Sequence, residues 1–127
     1  MKIWGLSDTH FARQNSKSMT FYNNVWVNHK EKIFKNWREV VGESDIVLIG
    51  GDITWSYTVE QALTDIQVMN NLPGNSKLIV EGNHDVWWKD YSAVCKSIPS
   101  KFTALEGNAV SIDGQVFCGT MGWVAPN

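Results

Sequence analysis

Apolar residues along the chain alternate between short continuous runs and longer stretches of helical period. Lys2-Ile-Trp-Gly-Leu6 reads as a short buried strand that ends where Ser7-Asp8 begins. Phe11 to Asn24 is polar, rich in Asn and Ser and without period, which predicts a long loop beside that strand end. Between Val25 and Val41, apolar residues at Ile33, Phe34, Trp37, Val40 and Val41 follow the i, i+3, i+4, i+7 spacing of a helix, with Gly42 as a stop. Asp45-Ile-Val-Leu-Ile49 is a β-branched run closed by Gly50-Gly51 and suits a central parallel strand covered on both faces. Thr58 and Gln61 form a capping box ahead of an apolar face at Val59, Ala62, Leu63, Ile66 and Met69, and Pro73-Gly74 ends that second helix.

Lys77-Leu-Ile-Val80 supplies a third strand. A short helical stretch near Asp90 to Ser97 then leads to Phe102-Thr-Ala-Leu105. Val110-Ser-Ile112 and Gln115-Val-Phe-Cys118 flank Asp113-Gly114, the signal of a type I′ hairpin. The β-α-β-α-β order predicts a layered α/β fold on a parallel sheet with right-handed crossovers. No repeat, low-complexity tract or linker interrupts it.

Three polar segments stand directly after the three strands: Asp8-Thr-His10, Gly50-Gly-Asp52 and Gly82-Asn-His-Asp85. Each alone has an ordinary reading, since Asp8 can cap a loop, Gly-Asp is frequent in turns, and Asn83 and Asp85 favour turns while His84 can be a satisfied loop residue. Together they share the carboxyl ends of adjacent strands, where open α/β sheets bind ligands. Carboxylate, imidazole and amide oxygen form a mixed N/O set suited to Mn, Fe or Zn rather than to a thiolate site or an all-oxygen calcium cage. A carboxylate bridging two ions about 3.5 to 4 Å apart supports in-line attack on a phosphoryl group, and Asp52, on the middle motif, is the natural bridge. Glycines at 50, 51 and 82 allow sharp turns and close backbone approach.

Composition narrows the class. The 127 residues suit a single domain, and 43% hydrophobic with 19% charged residues is ordinary for a chain that folds around a core. A net charge of -2 from interspersed charges offers no electrostatic footprint for anionic lipid or nucleic acid, so phosphate falls to a metal to hold. Neither a signal-peptide core nor a membrane span is present, and Cys95 and Cys118 lie far apart, which predicts a cytoplasmic protein with two reduced, buried thiols. Of the seven tryptophans, Trp4 and Trp37 fall on apolar faces and Trp87-Trp88 anchor the third motif's loop, so core packing accounts for them better than base stacking. Arg13, Lys17 and Lys89 are near the site in sequence, with solvated surface charge as their default role.

These motifs, in this order, resemble the calcineurin-like metallophosphoesterase superfamily, whose signature runs D-x-H, then G-D, then G-N-H-D or G-N-H-E. The likeness is to the small bacterial and phage-type phosphoesterases, because Asp52 is followed by Ile53-Thr-Trp55 and not by the longer motif of the protein phosphatase branch. The resemblance implies that Asp8 and His10 bind a first metal, Asp52 bridges and Asn83 binds a second. It further implies that His84 stabilises phosphate or protonates the leaving oxygen without ligating, while Asp85 orients the His84 ring by a hydrogen bond. The family continues with a further His and a G-H-x-H segment that this chain does not contain, and His29, the remaining histidine, falls at the start of the first helix in a surface or capping role. Met121 stands in Gly119-Thr-Met-Gly-Trp123 where close relatives tend to carry Arg.

The expected protein is therefore the amino-terminal part of one metallophosphoesterase domain, incomplete at its carboxyl end and impaired alone, holding one ion or binding weakly where the whole site holds two. Two alternatives stand beside it. Either a second chain completes the site through the exposed sheet edge, with self-association as a variant, or the domain is a non-catalytic module for a nucleotide or protein. The expected partner is a phosphate ester, mono- or diester, with nucleic acid only as substrate and no membrane.

Overall fold

The computed structural model describes residues 1–12, 19 and 24–122. Strand β1 (Ile3–Leu6) leads through a 3-10 turn (Asn24–Trp26) to α1 (His29–Val40), followed by β2 (Ile46–Ile49), α2 (Val59–Asn70), β3 (Ser76–Val80), α3 (Tyr91–Ser97) and β4 (Phe102–Leu105). A hairpin of β5 (Ala109–Ile112) and β6 (Gln115–Cys118) completes the described chain. The sheet runs β1-β2-β3-β4 and every neighbour is parallel. Phe102–Leu105, left without a place in the sheet by the sequence pattern, is its fourth parallel strand.

Sequential strand order has a geometric consequence. Right-handed crossovers between successive strands place every connecting helix on the same face. Val47, Ile49, Ile79, Phe102 and Ala104 accordingly pack with Phe34 and Trp37 of α1, Ala62, Ile66 and Met69 of α2, and Val94 of α3 in one core. The intervening residues Ile46, Leu78 and Leu105 face the other way and meet Val110, Ile112 and Phe117 of the hairpin. One sheet face is thus covered by helices and the other by a two-stranded ribbon.

Strand β1 lies at the sheet margin, so it is half-exposed and not buried as its apolar run suggested, with Ile3 at 45% exposure. Both cysteines are exposed, also against expectation. Cys95 is on the outer side of the short helix α3, and Cys118 ends the marginal ribbon, so neither reaches a core. Helix α1 begins at His29 because Asn28 takes a left-handed conformation, which asparagine tolerates better than most residues. Before α2, Thr58 accepts from the Gln61 N–H as a capping box requires, while the Gln61 side chain accepts from the N–H of Tyr57, one residue ahead of the cap. At Asp113-Gly114 both residues have positive φ, as a type I′ turn requires.

Two buried charged side chains tie these elements together. Lys77 is fully buried on the helix side of β3, and its Nζ donates to the Leu72 and Gly74 carbonyls at 2.9 Å each, fastening the turn after α2; burial brings its ammonium down to about 8. Asp45, just before β2, accepts from the Lys2 N–H, the Trp4 indole and the Gly42 N–H, so one carboxylate joins β1, β2 and the end of α1. The Trp4 indole above all, with the Gly42 and Lys2 amides, holds its pKa down to about 2. A carboxylate depressed on folding stabilises above its unfolded pKa, and that contribution disappears as pH falls through the folded value. In urea titrations, Asp45→Asn should therefore be less stable than wild type at pH 7, and the difference should shrink as pH is lowered from about 4 towards 2.

Candidate metal centre

The ladder between β1 and β2 continues past both strands, and this continuation carries the first two motifs. Gly50 N–H donates to Leu6, Asp8 N–H to Gly51, His10 N–H to Asp52 and Phe11 N–H to Ile53, all at 2.8–3.0 Å. Phe11, expected at the start of a loop, is instead fully buried and bridges to Thr54. Asp8, His10 and Asp52 all have left-handed backbone, with φ of 57°, 43° and 50°. Strain of this kind, of order 1–3 kcal/mol per residue, persists where surrounding bonds over-determine it.

Gly82, at the end of β3, is held against Asp52 so closely that a Cβ there would lie 2.1 Å from the Asp52 nitrogen and 2.2 Å from its Oδ1. A Cβ at Gly51 would in turn meet the Gly82 backbone at 2.7 Å. Only glycine fits this crossing, and the close approach brings the third motif to the second. The His84 N–H donates to Asp52 Oδ1 at 2.9 Å, and His84 Nδ1 lies 2.9 Å from Asp52 Oδ2. From the other side His10 Nε2 stands 3.4 Å from Asp52 Oδ2 and 3.5 Å from Asp8 Oδ1.

The Asp52 carboxylate is thus the centre of the cluster. His10, Asp52 and His84 each offer a donor atom within 4.8 Å of the others, a spacing that could hold a metal ion. His10 and Asp52 are buried, the His84 side chain is 49% exposed and that of Asp8 is 60% exposed. Burial by itself would raise the Asp52 pKa, but the His84 N–H and ring, aided by the fields of His10 and His84, outweigh it and hold it below the ordinary range. Asn83 is exposed and lines, with Asp8, Asp52, Glu81, Thr120 and Gly122, an open hollow of about 420 Å³ beside the cluster.

Two expectations about neighbouring residues change. Asp85 was expected to orient the His84 ring, yet its buried carboxylate accepts from the Gly82, Ile53 and Thr54 N–H groups and the Trp87 indole. Burial pushes its pKa up against the pull of those donors. It fastens the loop after β2 to the loop after β3, and the His84 ring is oriented by Asp52. His29 is not remote: its Nε2 lies 2.8 Å from the Thr9 carbonyl oxygen and its Nδ1 3.1 Å from that of Trp26, so it braces the first motif from beneath. Trp87 and Trp88 are core residues, Lys89 is exposed, and Arg13 and Lys17 lie outside the described residues.

The sequence reading passed over two aromatic neighbours. The Trp55 ring centroid lies 5.0 Å from that of His10 and 4.9 Å from that of His84, and Trp26 meets His10 edge-on at 5.9 Å. The available signal was the position of Trp55 three residues beyond Asp52, on the loop that leaves the middle strand.

The layered α/β fold gathers carboxylates and imidazoles at the ends of adjacent parallel strands, a donor set that could hold a metal ion. The family model of the calcineurin-like phosphoesterases matches residues 1–122, and the chain belongs to that family. It is 28% identical over 96 residues to the uncharacterized protein MJ1445 of Methanocaldococcus jannaschii, covering 73% of this chain and 52% of that protein. A solved structure, the protein of unknown function AQ665 from Aquifex aeolicus, is similar with a TM-score of 0.49 at 21% identity, over 90% of this chain and 56% of the other. The chain therefore spans about half the length of these relatives. No helix among the described residues is long and apolar enough to cross a membrane.

Two measurements test this arrangement. Calorimetric titration with Mn²⁺ or Zn²⁺ should show binding that Asp52→Asn weakens by about 100-fold, since the central carboxylate loses its charge. Asp85→Asn places an NH2 group against N–H donors in a buried site and should cost about 1–3 kcal/mol of unfolding free energy in denaturant titrations. Its metal affinity should fall less than that of Asp52→Asn.

Proposed function

We propose that the chain carries the metal-binding half of a phosphoesterase site that hydrolyses a phosphate mono- or diester. The observation that supports this best is the Asp52 carboxylate held between His84 on one side and His10 with Asp8 on the other, at the ends of three parallel strands. The donor set fits the divalent ion that the family implies: hard carboxylates and imidazoles, no thiolate, and a depressed carboxyl at the centre. Such an ion, when bound, polarises a phosphoryl oxygen and acidifies a water.

The chain's own residues divide the remaining work. Asp8, His10 and Asp52 hold the ion, and Asn83 at the rim extends the donor set on the side of the hollow. Asp52 engages Nδ1 of His84, which leaves Nε2 of this half-exposed side chain to place a proton on the leaving oxygen. Asp85 serves by positioning, because its bonds to the loops after β2 and β3 keep Asp52 and His84 in register. Further donors come from polypeptide outside these 127 residues, either more of the same protein or a second chain.

A second reading makes His84 a ligand, favoured by its donor atom lying within 4.8 Å of those of His10 and Asp52. His84→Ala separates the two. As a proton donor, its loss should leave Mn²⁺ affinity unchanged and lower hydrolysis of an alkyl phosphate ester by about 100-fold or more, with a much smaller effect on bis-p-nitrophenyl phosphate, whose leaving group departs unprotonated; as a ligand, it should weaken Mn²⁺ binding as well. Hydrolysis should stop in a chelator and in Asp52→Asn. Metal-independent ligand binding that survives Asp52→Asn would instead make the domain a binding module.

A further inference from the structure

Of the six described tryptophans, four are accounted for by the core. Trp37, Trp87 and Trp88 are buried at 4%, 1% and 3% exposure, and Trp4 packs against the same core while its indole donates to Asp45. Trp26 and Trp55 belong to neither apolar cluster. Both are partly exposed, and both gather on the imidazoles of the metal centre. Trp55 lies against His10 at an interplanar angle of 31° and against His84 at 53°, while Trp26 closes on His10 at 84°. Packing on the imidazoles accounts for only part of this aromatic surface, and the part left open lies beside the donors, so its position bears on whatever they bind.

We infer that Trp55, assisted by Trp26, is the wall of a substrate subsite for a phosphate ester whose alcohol portion carries a flat aromatic ring, such as a nucleotide or an aryl phosphate. This rests on the reading of the site as a phosphoesterase centre. A phosphate held at the imidazoles leaves its ester group next to the indole, because the Trp55 ring touches both histidines. Every aromatic ring has a π-face, so a tryptophan wall accepts bases or aryl groups without hydrogen-bond readout. The hollow beside the cluster is lined by Asp8, Glu81 and Asn83 rather than by the tryptophans, which stand on the imidazole side of it. Among the described residues lining the hollow there is no lysine or arginine to hold a second phosphate, which fits an ester with its charge at the metal and a neutral ring beyond it.

The test is calorimetric binding of non-hydrolysable phosphonate analogues of AMP, phenyl phosphate, ribose 5-phosphate and phosphocholine, with inorganic phosphate as reference, in Mn²⁺. Wild type should bind the AMP or the phenyl analogue about ten-fold more tightly than the ribose 5-phosphate analogue. Whichever of the two binds better identifies the ester as nucleotide or aryl. Trp55→Leu should remove that advantage while leaving Mn²⁺ and inorganic phosphate affinity unchanged, and Trp55→Phe should retain most of it. Equal binding of ring-bearing and ring-free analogues by wild type would overturn the inference and leave the metal centre standing. So would tighter binding of the phosphocholine analogue, which would make the wall a cation cage. A parallel loss of Mn²⁺ and phosphate affinity in Trp55→Leu would also overturn it, showing that the indole only packs the imidazoles. Absence of any Mn²⁺-dependent phosphate binding would refute the metal-centre reading itself.

Discussion

The site depends on one contact between backbones. Gly82 crosses Asp52 at a distance that no Cβ could occupy, and Asp85 clamps the crossing from within by accepting N–H groups from both loops. A buried carboxylate is costly unless its lone pairs are used, and here four donors use them. The crossing brings Asp52 and His84, from the loops after separate strands, into shared hydrogen bonds at 2.9 Å. The clamp explains why a residue of the third motif that never touches the histidine ring still governs its place.

The sheet supplies the remaining alignment. Because the described strands run in sequence order with their helices on one face, no reversal of order among them creates a crevice, and the donors meet through the extended β1–β2 ladder instead. The left-handed backbone at Asp8, His10 and Asp52 helps turn these three polar side chains toward a common point. Aspartate and histidine tolerate that conformation better than branched residues do, so the residue types that bind metal are also those that bear the strain. His29 and Trp26 support the first motif from the α1 side, which ties the candidate site to the main core through Phe11, stacked on His29 and packed on Phe34.

Much of the fold was legible because its signals are local. Short runs rich in Ile, Val and Leu made β2 and β3, the spacing of Ala62, Ile66 and Met69 made α2, and Asp113-Gly114 made the hairpin turn. Lys77 was read only as a strand residue, since nothing in a linear pattern shows that an ammonium will be enclosed by the turn after α2. The marginal position of β1 and the exposure of Cys95 and Cys118 were missed for a related reason: an apolar residue near an edge looks the same in sequence as one at the centre.

By itself the sequence determined which residues could do chemistry and that strand ends would present them, because residue type and period are properties of the chain. Only the tertiary structure decided the pairings. It turned Asp85 to the backbone and gave His84 to Asp52, drew His29 beneath Thr9, and set Trp26 and Trp55 against the imidazoles. Those contacts join residues far apart along the chain, and their formation depends on how closely two backbones approach, which no spacing of residues along the chain records.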